Sequence, residues 1–86
     1  WQTCIFSMDP VCGFVVGDGV GGTEAGVGSA GDAQACAALV QAAEPTANGA
    51  TFSNTGGTGC YAEFGMTGAN TSDSWQTCMF DGTVGR

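Results

Sequence analysis

The chain has 86 residues with eight carboxylates, one cation (Arg86), no Lys and no His, for a formal net charge of −7. A chain this short makes one domain with a marginal core, and this charge repels nucleic acid and anionic membrane surfaces. Without His or Lys the usual general base and Schiff-base amine are missing, so neither a catalytic residue nor a cofactor is expected.

The five cysteines are Cys4, Cys12, Cys36, Cys60 and Cys78. They form no CxxC pair and have no His beside them, which argues against a metal site. Scattered at this density they indicate a disulfide framework made in an oxidising compartment, hence a secreted, extracellular protein. The count is odd, so one thiol is left free or pairs outside the domain. The chain opens on Trp1 with no leader, which reads as a processed form or a piece of something longer.

In chain order the first element is Trp1-Gln2-Thr3-Cys4-Ile5-Phe6, which recurs as Trp75-Gln76-Thr77-Cys78-Met79-Phe80 with five of six positions identical. Both copies alternate and are rich in β-favouring residues, so both are predicted strands. Recurrence at this distance indicates a tandem array. Residues 1–86 then form one small disulfide-rich domain, with 1–11 the trailing strand of a preceding repeat and 12–80 the module core. Val11 to Val16 is a second short strand. Gly13 to Gly31 is heavily glycine and reads as a long loop or a set of turns. Asp32 is a good N-cap, and Ala33 to Ala43 is a helix with Cys36, Leu39, Val40 and Ala43 on one face, stopped by Pro45. Ala50 to Ser53 and Cys60 to Phe64 are strands joined by the turn residues Asn54 to Gly59, a β-hairpin. Gly65 to Ser74 is loop. The fold class is α+β. No run is long enough to span a bilayer, so no membrane insertion is expected.

Residues 31–64, with Cys36 on the helix, Gly49-Ala50-Thr51-Phe52 after it and Cys60-Tyr61-Ala62-Glu63-Phe64 next, resemble the core of a PAN/Apple-type module. The resemblance implies one helix packed on a small twisted antiparallel sheet, stapled by a bridge from the helix cysteine to the later strand. It also implies a role in recognition of proteins or carbohydrates, or in assembly, and no catalysis. Similar segments occur in tandem in large secreted proteins. Family members usually carry a second helix cysteine and a partner before the next strand; here those places hold Val40 and Ala47-Asn48. The bridges expected on this basis are Cys36–Cys60 and Cys12–Cys78, with Cys4 odd or intermolecular. The alternative is a local Cys4–Cys12 loop that leaves Cys78 for the next unit. Four paired cysteines allow three connectivities.

Gly17, Gly19 and Gly22 match GxGxxG after a strand. No βαβ unit fits in this length and Asp18 would repel a pyrophosphate, so no nucleotide is expected. Asn70-Thr71-Ser72 is an N-glycosylation sequon in a polar loop, and threonines and serines in the glycine-rich loops are O-glycan candidates. Asp18 to Glu24 offers oxygens to Ca²⁺, but its spacing fits no EF-hand loop, and solvated loop charge is the better reading. Trp1, Phe6, Trp75 and Phe80 are the candidate interface residues, because an edge strand with unpaired amides is a template for another strand. The expected function is a structural subunit of a glycosylated extracellular fibre, hair or matrix that self-associates head to tail into a polymer. The alternative is a PAN/Apple-like carbohydrate- or protein-binding module.

Overall fold

The computed structural model describes residues 12–80. The elements are β1 (Val15–Val16), β2 (Gly19–Val20), β3 (Thr23–Ser29), α1 (Ala33–Ala43), β4 (Gly49–Ser53), β5 (Gly59–Phe64), β6 (Gly68–Ala69) and β7 (Trp75–Met79). They form a five-stranded antiparallel sheet in the order β1-β7-β4-β5-β3 and a two-stranded ribbon, β2-β6. The class is α+β, stapled by the disulfides Cys12–Cys78 and Cys36–Cys60. These are the two bridges that the resemblance implied.

Helix α1 begins where Asp32, in extended backbone, accepts from the Ala35 N–H at 2.8 Å. It ends at Glu44, whose N–H returns to the Val40 carbonyl just before Pro45. The buried stripe differs by one position from expectation. Cys36, Ala37 and Val40 are fully buried and Ala33 packs beside them, whereas Leu39 is only half-buried and Ala43 is exposed. Small side chains at 33 and 37 let the helix sit close to the sheet, and Ala43 lies on the outer side. The helix spans β3 to β4, two parallel strands with β5 between them, so α1 is the crossover of a split β-α-β unit.

The glycine-rich stretch is not a loop. Thr23–Ser29 pairs with β5 along its whole length, through a register shift between Gly26 and Gly28. Pairing to a well-buried neighbour overrides the poor strand propensity of glycine. The turns on either side do need glycine: a Cβ on Gly22, whose φ is 69°, would lie 1.8 Å from the Phe64 carbonyl oxygen. The predicted loop 65–74 likewise contains β6. The first strand is shorter than expected, two residues at Val15–Val16, and Val11 lies outside the described residues.

Alternation along the strands gives the sheet two unlike faces. Ala50, Phe52, Cys60, Ala62 and Cys78 lie under α1 and form the apolar core. Thr51, Glu63, Tyr61, Trp75 and Thr77 point the other way. Met66 covers part of that second face. It fits because Gly19 and Gly49 have no side chains: a Cβ there would come within 2.7 Å of Met66 Sδ and 2.1 Å of Met66 Cε.

Candidate functional site

Strand β7 carries the second copy of the recurring hexamer, and all of its residues but the exposed Met79 have a defined side-chain or backbone contact. The Trp75 ring stands edge-on to Tyr61, with centroids 5.6 Å apart and planes at 83°. Gln76 Nε2 donates to the Ser53 carbonyl at 3.0 Å. Thr77 is 1% exposed and its hydroxyl shares a hydrogen bond with Thr51 at 2.7 Å. Cys78 is bridged to Cys12. Phe80 follows half-buried, its N–H donating to the Asn48 carbonyl at 2.8 Å.

β7 is not an edge strand. It pairs with β4 from Trp75 to Met79 and with β1 at Gln76 and Thr77, and the Trp75 carbonyl accepts from the Gly17 N–H at 2.7 Å. The expectation that Trp75 presents an open edge is therefore corrected: among the described residues the outer strands of this sheet are β1 and β3. Trp1, Phe6 and Cys4 lie outside the described residues.

Apart from Val20 in β2, the exposed large apolar side chains among the described residues lie in or beside the short strand β1. Val15, Val16 and Met79 are 58%, 56% and 45% exposed. A groove of about 550 Å³ runs beside them, lined by Gly13, Val15, Ala69, Thr77, Met79 and Phe80, among others. Among the described residues its lining is apolar or small, with no titratable side chain.

The chain enters this edge at Cys12, which is held from two sides. Its sulfur is bonded to Cys78, and its backbone forms a reciprocal pair with the Gln34 side chain: Cys12 N–H donates to Gln34 Oε1 at 3.0 Å, and Gln34 Nε2 donates to the Cys12 carbonyl at 2.7 Å. Gln34 carried no sequence signal, since a single Gln in a helix reads as surface.

On the second face, Asp18, Glu24 and Glu63 bring carboxylate oxygens within 4.8 Å of one another. Sequence reading placed Asp18 and Glu24 in solvated loops and did not link Glu63 to them. The link is a register effect, Glu24 opposite Glu63 across β3 and β5. Glu63 is 1% exposed and accepts from Thr51 Oγ1 at 2.6 Å. Burial, with smaller contributions from Glu24 and Asp18, pushes its pKa up to about 7, against the opposing pull of the Thr51 hydroxyl. Residues 12–80 contain no Lys, Arg or His, so the proton on Glu63 is what relieves the repulsion.

Asn70 is exposed. Its Oδ1 accepts from the Asp18 N–H at 2.9 Å and the Ser72 N–H at 2.8 Å, which presents the sequon on a turn. Of the GxGxxG glycines Gly17 lies in the β1–β2 turn, Gly19 opens β2 and Gly22 lies in the β2–β3 turn, and the chain leaves Gly22 as strand β3, not as a helix that would face a pyrophosphate. No described helix is long and apolar enough to cross a membrane. A small fold with two disulfides is compatible with an extracellular protein.

No protein family, no curated protein and no solved structure matches the chain.

Proposed function

We propose that the domain is a non-catalytic structural module of an extracellular, glycosylated fibre, hair or matrix, joined head to tail to modules of its own kind. The observation that carries this reading is what the recurring hexamer does. At β7 its Trp, Gln, Thr and Cys each meet a specific partner, namely Tyr61, Ser53, Thr51 and Cys12. Residues 1–4 repeat those four identities in order. The recurrence is thus of the four identities that make these contacts at β7, which supports the reading of residues 1–11 as the trailing strand of a preceding module, with Cys4 belonging to it. Like ends on one unit suit a heterologous interface that does not close. The exposed Val15 and Met79, which line one groove, supply an apolar surface for such contacts, and the exposed Asn70 a place for glycan. Sedimentation velocity and electron microscopy of the oxidised, glycosylated protein, with non-reducing mass mapping, test this. Filaments or a Cys4 intermolecular bridge are expected. A monomer at high concentration with Cys4 free overturns it.

A second reading is favoured by the groove: a PAN/Apple-like module that binds carbohydrate or protein. The helix-to-strand bridge Cys36–Cys60 supports that likeness, and the apolar lining suits contact with a sugar face or an apolar side chain. Specific binding by a monomer on a glycan array, lost on Met79→Asp, would select it.

A further inference from the structure

Tension on a chain of modules enters each one before its first bridged cysteine and leaves after its last. In this domain those two residues, Cys12 and Cys78, are 66 apart in sequence and bonded to each other, with Cα atoms 5.9 Å apart. We propose that the Cys12–Cys78 bridge is a tension shunt, so that pulling force crosses the module through one covalent bond and bypasses the sheet, the helix and the core.

The topology shows why such a device matters. β1 and β7 are antiparallel neighbours, so the start of β1 and the end of β7 emerge at the same end of the sheet. Force applied there peels the pair apart, and its hydrogen bonds are strained one after another. β1 pairs at only two positions, Val15 with Thr77 and Val16 with Gln76, and each hydrogen bond is worth about 1 kcal/mol net. Without the bridge this is the weakest direction in which to pull the fold. With it, the peeling end is the end that is covalently closed. The Gln34 amide, bonded to both the N–H and the carbonyl of Cys12, fixes the same point to the helix. A taut path through the module is then 5.9 Å between Cα atoms, while the 66-residue path it replaces would extend to about 230 Å. The second bridge is nested within the first and, with a separation of 24, shortens the releasable path to 42 residues, about 150 Å, for as long as it persists.

The shunt is a property of this chain alone; its service in a fibre rests on the proposed function. Single-molecule pulling of the full oxidised chain, by handles ligated enzymatically to its two termini, tests the shunt without any assembly. The expected trace stretches the end segments and shows no unfolding step up to forces that rupture ordinary domains. Adding a dithiol during the pull transfers two electrons and two protons to each bridge, and the reagent leaves as its own disulfide. The trace should then gain a step of about 150 Å if the outer bridge goes first, rising to about 230 Å once both are reduced. A Cys12→Ser/Cys78→Ser chain that folds should give the 150 Å step with no reductant. A step of 150 Å in the oxidised wild type overturns the proposal. So does a mapped bridge from Cys12 to any residue other than Cys78. Failure of the chain to form filaments bears only on the proposed function.

Discussion

On the helix side of the central sheet Ala50, Phe52, Cys60, Ala62 and Cys78 meet Cys36, Ala37 and Val40; the Cys36–Cys60 disulfide ties helix to sheet and Cys12–Cys78 ties the start of the described chain to β7. On the other side Thr51, Thr77 and Glu63 are just as deeply buried, yet they are joined by hydroxyl and carboxyl hydrogen bonds. The first side is held by apolar area and covalent closure, and neither titrates near neutral pH. The second is held by a chain of donors running from Thr77 to Thr51 to Glu63, and its last member titrates. Two faces of one thin sheet thus answer to different agents, one to reductant and the other to pH.

The largest expected effect tests the covalent side. In the chain-entropy treatment, removing Cys12–Cys78 by Cys→Ala at both positions lowers stability by about 4 kcal/mol, and removing Cys36–Cys60 by about 3 kcal/mol. Either loss is comparable to the whole stability of a core this small. Urea midpoints at fixed pH measure it. If the faces are independent, the surviving single-bridge protein keeps the pH dependence of the parent. A bridge variant with altered pH dependence would show that the faces are coupled through β4 and β7.

Next comes the proton on Glu63. Its folded pKa, about 7, lies above the ordinary glutamate value of 4.5, so the folded state binds this proton more tightly than the unfolded chain. The contribution is complete below about pH 4.5 and is lost as pH rises to about 7 and beyond. The loss is on the order of 2 kcal/mol, less than the full shift implies, because Glu24 is exposed and water reaches its side of the cluster. Glu63→Gln should flatten this part of the profile and leave the protein more stable than wild type at pH 8. A Gln variant weaker than wild type at every pH would mean that Glu63 is not a net charge penalty.

Thr51→Val is expected to cost about 1–3 kcal/mol, since it removes the donor to Glu63 and the partner of Thr77 in a dry site. The loss should be greatest above pH 7, where Glu63 is ionised. A pH-independent loss would assign the effect to packing.

The two faces also differ in how far they can be read from the chain. The helix bounds, its Asp32 cap and the β4–β5 hairpin follow from local signals: a cap, a run of helix formers, Pro45, and a glycine-rich turn between apolar strands. The cysteine pairs followed from resemblance and are the ones seen. The second face leaves little trace. Thr51 and Thr77 look like ordinary strand residues, and Glu63 looks solvent-facing, because burial of these groups depends on which strands neighbour one another and in what register. Strand β3 was hidden for a related reason: Thr-Glu-Ala-Gly-Val-Gly-Ser has no apolar alternation, and only pairing with β5 makes it a strand. The expected open edge at Trp75 failed because neighbour order in a sheet is not encoded in a strand's own residues.

The smallest effect, opposite in sign at its two positions, concerns two glycines of the second face. A Cβ on Gly19 would lie 2.7 Å from Met66 Sδ and 2.8 Å from Glu63 Cδ, so Gly19→Ala must push the cover away from the buried carboxyl and destabilise. Gly26 sits opposite Tyr61 near the exposed edge, and its added Cβ would meet that ring at 3.6 Å, an ordinary contact. The backbone there tolerates a side chain, so Gly26→Ala should stabilise by about 0.5 kcal/mol, chiefly by restricting the unfolded chain. Paired thermal melts of the two variants decide whether the second face is tightly closed at Gly19 and open at Gly26. Equal losses at both positions would mean that β3 is as crowded as the interior, and the polar face would then be a second packed core.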